Sequence, residues 1–275
     1  MSGVPEMIIP PHGIPDDVVR IVVPSSDSPL SRHITVEKAA RVRFLLDYAG
    51  TADFLLHLNI HSGAFVDVFH VAGSANGKIK SSSVYGLGEH ASLNVWTFAT
   101  GGSGLIAHDV QFQKPHGFAD LHGLSLLSGV SGVTHRVRAF HNAPNCVSRQ
   151  FYKSIVSDQA RSEFESLVEV VRTAQKTDSR QLNKNLLLSR GAKALSRPEL
   201  RIDADDVACA HGSATGELNP DEVFYARTRG LSLEQAQRMM IGAFAGEILE
   251  ALPQIPLKGI LCGQMAERIL ELASV

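Results

Sequence analysis

Short segments of alternating apolar and polar residues fill the chain from about residue 18 to residue 211, separated by Gly, Ser, Asn or Asp. A period of two is the pattern of β-strands that are buried on one face. Clear examples are residues 42–48, 64–70, 92–98 and 132–138. The sequence therefore predicts an all-β body.

Two architectures suit many short strands: a sandwich or barrel of hairpins, and a solenoid whose turns stack on one another. Hairpins favour two-residue Asn-Gly or Asp-Gly turns, and residues 75–78 supply the one example. Loose self-similarity between residues 51–56 and 62–67 favours stacking. On these grounds the solenoid is slightly preferred.

The sequence changes character after Gly216 and predicts helices. Asn219 is a good N-cap, Pro220 suits the first helical position and Gly230 suits a left-handed C-terminal position, so a helix is expected over residues 220–229. Residues 1–17 are then an N-terminal extension, 18–216 the β core and 217–275 a helical region.

Two further helices are expected in this tail. Ser232 and Gln235 form a capping box, and Pro253 ends the second helix. A third helix is expected over residues 257–273. The apolar stripes at helical spacing are Ala236, Met239, Met240, Ala243, Phe244 and Ile248 in the second helix, and Ile260, Leu261, Met265 and Ile269 in the third.

Composition excludes several functional classes. A formal net charge of −2 and the absence of a Lys/Arg run argue against nucleic-acid binding. Apolar stretches are too short to span a bilayer, and the N-terminus does not resemble a secretory signal, so a cytoplasmic location is expected. The odd number of cysteines, three, argues against a disulfide framework and fits a reducing compartment.

Catalytic motifs are missing from the sequence. It contains neither a P-loop nor a Gly-x-Ser-x-Gly nucleophile elbow. Cys146 and Cys262 are interpreted as packing residues, and the scattered histidines as ordinary solenoid positions. We therefore expect a protein without enzymatic activity of its own.

The segment Asp205-Asp-Val-Ala-Cys-Ala-His-Gly-Ser-Ala-Thr-Gly216, followed by Phe224-Tyr-Ala-Arg-Thr-Arg-Gly230, resembles the SufB/SufD family of iron-sulfur cluster assembly scaffolds. Gly212 after His211 is more similar to the SufD branch than to the SufB branch. Residues 183–189 and 141–145 also look like family signatures, and the resemblance is clearest over residues 134–252.

The resemblance implies a right-handed parallel β-helix core with a C-terminal helical appendage. It therefore strongly favours the solenoid over the sandwich or barrel. It implies a scaffold that pairs with a SufB-like subunit or, given the short N-terminal region, with a second copy of itself. It also implies that the helical region contacts a SufC-type ATPase. The residues expected to dock that partner are Phe224, Tyr225, Arg229, Met239 and Phe244.

Cys209 and His211 are the candidate ligands. If residues 198–211 form one strand, Leu200, Ile202, Ala204, Ala208 and Ala210 share the inner face, and Cys209 and His211 point outward together. Thiolate and imidazole both bind iron, but clusters usually take four ligands. The resemblance implies a transient iron-sulfur cluster shared with a partner chain at His211; whether a flavin also binds is left open by the sequence.

Other interpretations remain. A lone Cys-x-His pair is a weak metal signal and is more often packing. A carbohydrate-binding or carbohydrate-active β-helix would need clustered carboxylates and stacked aromatics, and the chain offers chiefly Asp205 and Asp206. A helix-turn-helix regulator would use the two helices around Gly230, although the second is poor in basic residues.

Because the last strand of a solenoid leaves backbone groups unpaired, we expect a dimer through the C-terminal rungs.

Overall fold

A computed structural model describes residues 6–11, 18–48, 50–73 and 77–272. Within these residues the strands form two parallel eight-stranded sheets, and successive strands alternate between the sheets. The chain is thus a parallel β-solenoid, as predicted. The turn proposed at Ala75 and Asn76 lies outside the described residues.

Sheet A contains the odd-numbered strands and sheet B the even-numbered ones. The strands of sheet A are β1 Glu6–Ile9, β3 Ser26–Val36, β5 Ala52–Ile60, β7 Lys78–Leu87, β9 Ser103–Phe112, β11 Gly132–His141, β13 Arg161–Val170 and β15 Lys193–Ile202. Those of sheet B are β2 Val18–Val23, β4 Arg41–Tyr48, β6 Phe65–Ala72, β8 Ser92–Ala99, β10 Phe118–Leu127, β12 Val147–Val156, β14 Thr177–Leu187 and β16 Val207–Glu217. Strand β1 lies inside residues 1–17, the predicted N-terminal extension.

The alternating pattern builds the core because strands pair in register. Val66, Leu93 and Ala119 occupy equivalent positions of successive rungs and are completely buried. Burying one such valine or leucine side chain contributes roughly 1.5–3 kcal/mol. Columns of inward-facing residues therefore hold the coil together along its axis.

Part of this interior is polar. The Tyr48 hydroxyl lies 2.9 Å from Nδ1 of His70, and the other ring nitrogen of His70 lies 3.0 Å from the Tyr85 hydroxyl. Nε2 of His108 contacts the Thr97 hydroxyl at 3.0 Å, and that of His135 contacts Ser125. Burial lowers the pKa of His70 to about 3, so the buried imidazole is neutral at neutral pH.

In the described part of the chain, three helices follow the solenoid: α1 Pro220–Thr228, α2 Leu233–Glu250 and α3 Pro256–Leu272. The predicted caps are present. The Asn219 side chain accepts from the backbone N–H of Asp221, Ser232 and Gln235 form a capping box, and Gly230 has a φ of 95°. The third helix was expected to reach Ala273, which lies outside the described residues.

The buried face of α3 largely follows the predicted stripe, whereas that of α2 departs from it. Helix α2 buries Ile241 and Ala245 together with Ala236 and Ile248, whereas Met239 is 54% exposed. Helix α3 buries Leu261, Met265 and Ile269 as predicted, together with Leu257, whereas Ile260 is exposed. The differences arise because both helices pack on the outer face of sheet B, and the pattern within one helix does not show where that face lies. The apolar residues of this face include Trp96, Phe98, Leu124 and Ile155.

Candidate functional site at the open end of the solenoid

Residues 198–211 do not form a single strand, contrary to the prediction from the sequence. Strand β15 ends at Ile202, and β16 begins at Val207 on the other sheet. The intervening corner contains Asp206, whose carbonyl accepts from the backbone N–H of Lys176 in the preceding rung. Because the corner separates the two strands, the alternation of β15 does not carry over into β16.

The predicted outward orientation of Cys209 and His211 is therefore wrong. Cys209 pairs in register with Ser179 and His211 with Gln181, and both partners are buried in the interior. In-register parallel strands point equivalent side chains to the same side. Ala208 and Ala210, expected inside, are exposed.

Cys209 and His211 are nevertheless not sealed in the coil. Strand β16 is the terminal strand of sheet B, as β15 is of sheet A. His211 is exposed and Cys209 is half-buried, because no described strand covers the final rung. The pair lies at the open end of the solenoid, with side chains two residues apart on one face, about 6.5–7 Å between their Cα atoms.

The interior beneath this pair is polar. Ser179 and Ser148 lie under Cys209 in successive rungs, with their hydroxyls 2.8 Å apart. Gln181 and Gln150 lie under His211. At this end, hydrogen-bonding side chains thus replace the apolar columns of the earlier rungs. They can accommodate a polar or charged ligand better than an apolar core could.

Protonation limits what Cys209 can bind unaided. Burial, opposed by backbone hydrogen bonding at Ser179 and reinforced by the charge of Asp178, raises the pKa of the thiol. The thiolate is the metal ligand, so binding iron must displace the proton. No cluster of three or more His, Cys, Asp or Glu side chains suited to a metal occurs among the described residues.

The end rung also exposes apolar core residues. Ile202 is 37% exposed, and Leu200 and Val207 are partly exposed although they pack against the interior cluster. The terminal strands β15 and β16 present unpaired backbone groups beside them. This surface has the features of an interface that a second chain would cover.

A second candidate site is a groove of about 800 Å³ between α1 and α2. Apolar side chains line it: Tyr225, Leu231, Met239, Met240 and Phe244. Arg229 lies over the ring of Tyr225, 5.2 Å from its centroid, and donates a hydrogen bond to its hydroxyl at 3.0 Å. Four of the five predicted docking residues thus meet in one groove, whereas Phe224 is exposed on α1 and is not among its described lining residues.

The residues beneath this groove were not predicted from the sequence. Lys153, on the outer face of β12, is buried under α2, and its ammonium lies 2.9 Å from a Glu247 carboxylate oxygen. The available signal was the apolar pair Phe151 and Ile155 on the outward positions of β12, which indicates that another element covers this face.

The remaining cysteines have no comparable setting. Cys146 is completely buried in the solenoid core, and burial raises the pKa of its thiol. Cys262 is partly buried against the helical cluster. Both positions fit the packing role predicted for them.

Comparison with known proteins assigns this architecture to a family. Residues 26–244 match the model of the SUF system FeS cluster assembly SufBD core domain. The chain belongs to the SufBD family. The match covers most of the solenoid together with α1 and part of α2, and therefore includes Cys209, His211 and all five predicted docking residues.

Among similar curated proteins is the iron-sulfur cluster assembly protein SufD of Escherichia coli, 36% identical over 185 residues, which are 66% of this chain and 44% of the relative. A SufBD family protein of Synechocystis is 39% identical over 198 residues, 71% of this chain and 41% of the relative. Protein ABCI7, chloroplastic, of Arabidopsis thaliana is 32% identical over 203 residues, 68% of this chain and 42% of the relative. This SufBD chain thus spans about two fifths of the length of these relatives.

The relatives support the SufD-like assignment made from Gly212, because the Escherichia coli protein is named SufD. None of the helices in the described residues is long and apolar enough to cross a membrane.

Neither alternative function, the carbohydrate-binding β-helix or the helix-turn-helix regulator, gains support. Asp206 is held in a rung corner, and α2, the second helix of the regulator hypothesis, packs its apolar face on sheet B.

Proposed function

We propose that this chain is a SufD-like scaffold subunit of iron-sulfur cluster assembly, without catalytic chemistry of its own. One observation carries the proposal: Cys209 and His211, on an interior face of the solenoid, are accessible at its open end above a polar interior. The family assignment supports involvement with iron and sulfur. We place the assembly in the cytoplasm, where free thiols persist.

The open end docks a second β-solenoid subunit, either a SufB-like chain or a second copy. Pairing there buries Ile202 and satisfies the backbone groups of the terminal strands. It also brings ligands from another chain to His211 and Cys209, since two ligands are too few for a cluster. The cluster is cargo, built at the interface and then released.

Ligation proceeds differently at the two residues. A neutral imidazole of His211 binds iron through a ring nitrogen lone pair without losing a proton. Cys209 must transfer its thiol proton to solvent or to a base of the partner before sulfur binds iron. His211 is therefore the primary ligand, and Cys209 is a secondary ligand or a carrier of sulfur.

The groove between α1 and α2 docks a SufC-type ATPase. Tyr225, Met239 and Phe244 offer aromatic and thioether surface of the kind that anchors a partner segment. ATP hydrolysis in that partner supplies the energy that a chain without a nucleotide-binding loop cannot supply.

Co-expression of the chain with a SufC-type ATPase and a SufB-like subunit, followed by size-exclusion chromatography under anaerobic conditions, tests the assignment. The expected result is one complex containing all three chains, or the ATPase with two copies of this chain. Elution of this chain apart from the ATPase, at micromolar concentrations of each, would refute the scaffold proposal.

A further inference from the structure

A buried cation attaches α2 to the solenoid. The side chain of Lys153 is completely buried, and its ammonium donates to the backbone carbonyl of Phe244 at 2.7 Å. The same nitrogen lies 2.9 Å from the Glu247 carboxylate and 4.2 Å from the centroid of the Phe244 ring. Burying an ammonium is costly unless partners of this kind satisfy it, so the arrangement tolerates little change in the position of α2.

Glu247 extends this attachment to a second rung. Lys184 of β14 places its Nζ 3.4 Å from the same carboxylate oxygen. We call Lys153, Lys184 and Glu247 the α2 latch. Because Phe244 and Glu247 also line the groove between α1 and α2, the latch lies directly beneath the surface proposed to dock the ATPase.

The latch is adjacent to the strand that carries the candidate ligands. Asn185, the neighbour of Lys184, points inward, and its side-chain amide donates to the Thr215 hydroxyl of β16 at 3.1 Å. Strand β16 also carries Cys209 and His211. Two consecutive residues of β14 thus contact the helix on the outer side and the terminal strand on the inner side.

We propose that Lys153 is a positioning residue that fixes the register of α2, so that a partner docked in the groove moves α2 and the terminal rungs as one body. The coupling to the ATPase rests on the proposed function. Ile241, Ala245 and Ile248 repeat at helical spacing, and such an apolar face is non-directional and tolerates displacement by a turn. A directed bond to one carbonyl of the helix selects a single register, as buried polar groups do in some helical assemblies.

Lys153→Met tests the register role in the purified chain, because methionine preserves much of the side-chain volume and removes the charge. Lys193→Met, at an exposed lysine of β15, is the matched control. Hydrogen exchange of the α2 amides should become at least about tenfold faster in Lys153→Met alone. The thermal midpoint should be retained, because Glu247 is half-exposed and keeps Lys184 as its partner, so that no buried charge is left unpaired. The register role is overturned if the exchange of the α2 amides is unchanged. It is also overturned if the thermal midpoint falls far enough for global destabilisation to explain the faster exchange.

The assembled complex tests the coupling. In Lys153→Met the affinity for the ATPase should stay within about threefold, because Tyr225 and Met239 are intact, while the ATP-dependent change in β16 exchange is lost. An ATP response equal to that of the wild type overturns the coupling. If the wild-type chain binds no ATPase, the proposed function and the coupling fall together, whereas exchange in the isolated chain still decides the register role.

Discussion

Cys209 lies in register with Ser179, one rung further along the same interior column, and Ser179 is completely buried whereas Cys209 is not. The difference comes from position alone, because β16 has a strand neighbour on one side only among the described residues. The end of the solenoid thus makes an interior position accessible. A thiol and an imidazole occupy it on a scaffold held in place by the rungs below.

The proposed pairing through the open end would bury the apolar rim of the last rung, which includes Ile202. Ile202→Asp places a charge on this rim, where desolvating it on pairing is unfavourable. We expect the dissociation constant for the second solenoid subunit to rise at least about tenfold, measured by sedimentation equilibrium. Ile260→Asp, the same change at an exposed position of α3, should have no effect. Equal loss in both variants would exclude the open end as the interface.

The proposed binding of a SufC-type ATPase would use the groove between α1 and α2. Met239 is exposed at this groove, so Met239→Asp should weaken binding of a SufC-type ATPase at least about tenfold without unfolding the chain. Isothermal titration calorimetry measures the affinity, and circular dichroism confirms the fold. Unaltered affinity would show that the partner docks elsewhere, for example on the exposed face around Phe224.

The sequence predicted what is periodic and failed where the period is interrupted. Alternation identified the strands, and local capping chemistry at Asn219 and Ser232 located α1 and α2. The orientation of Cys209 could not be predicted because residues 203–206 form a corner between β15 and β16. This corner is hydrogen-bonded to the turn of the preceding rung, and a pattern within one strand does not reveal it. The burial of Lys153 could not be predicted because its ammonium bonds to the carbonyl of Phe244, 91 residues away, and no local sequence pattern contains that contact.

Acid should destabilise the solenoid through its buried histidines. Burial lowers the pKa of His135 to about 4 and that of His70 and His141 to about 3, below the usual 6.5. The folded state therefore binds fewer protons than the unfolded state, and stability is lost as the pH falls from about 6.5 toward these values. For His135 the loss between pH 7.5 and pH 5 is about 2 kcal/mol.

Urea unfolding at several pH values measures this effect. His135→Gln, which can still hydrogen-bond to Ser125, should reduce the slope of unfolding free energy with pH between pH 6 and pH 4.5 by up to about 1.4 kcal/mol per pH unit. His90→Gln removes an exposed imidazole and serves as the control. A slope that is the same in both variants and the wild type would contradict a buried, neutral His135.

Core packing gives an independent test of the interior. A Cβ at Gly123 would lie 2.1 Å from the ring of Tyr152, whereas a Cβ at Gly242 of α2 meets nothing within 4 Å. Gly123→Ala should therefore destabilise the chain by about 1–3 kcal/mol or more, through overpacking. Gly242→Ala should stabilise it by about 0.5–1 kcal/mol, through helix propensity. Opposite shifts of the thermal midpoint are expected, and a neutral Gly123→Ala would contradict the position of Tyr152.

The iron and acid-labile sulfide content of the anaerobically assembled complex tests the central claim most directly. We predict that His211→Ala loses most of the bound iron and sulfide and Cys209→Ala a smaller share, while His90→Ala, at an exposed turn, loads like the wild type. Sedimentation should show that all variants still pair, so that the loss reflects ligation. Equal iron and sulfide in His211→Ala, Cys209→Ala and the wild type would contradict the role assigned to the open end.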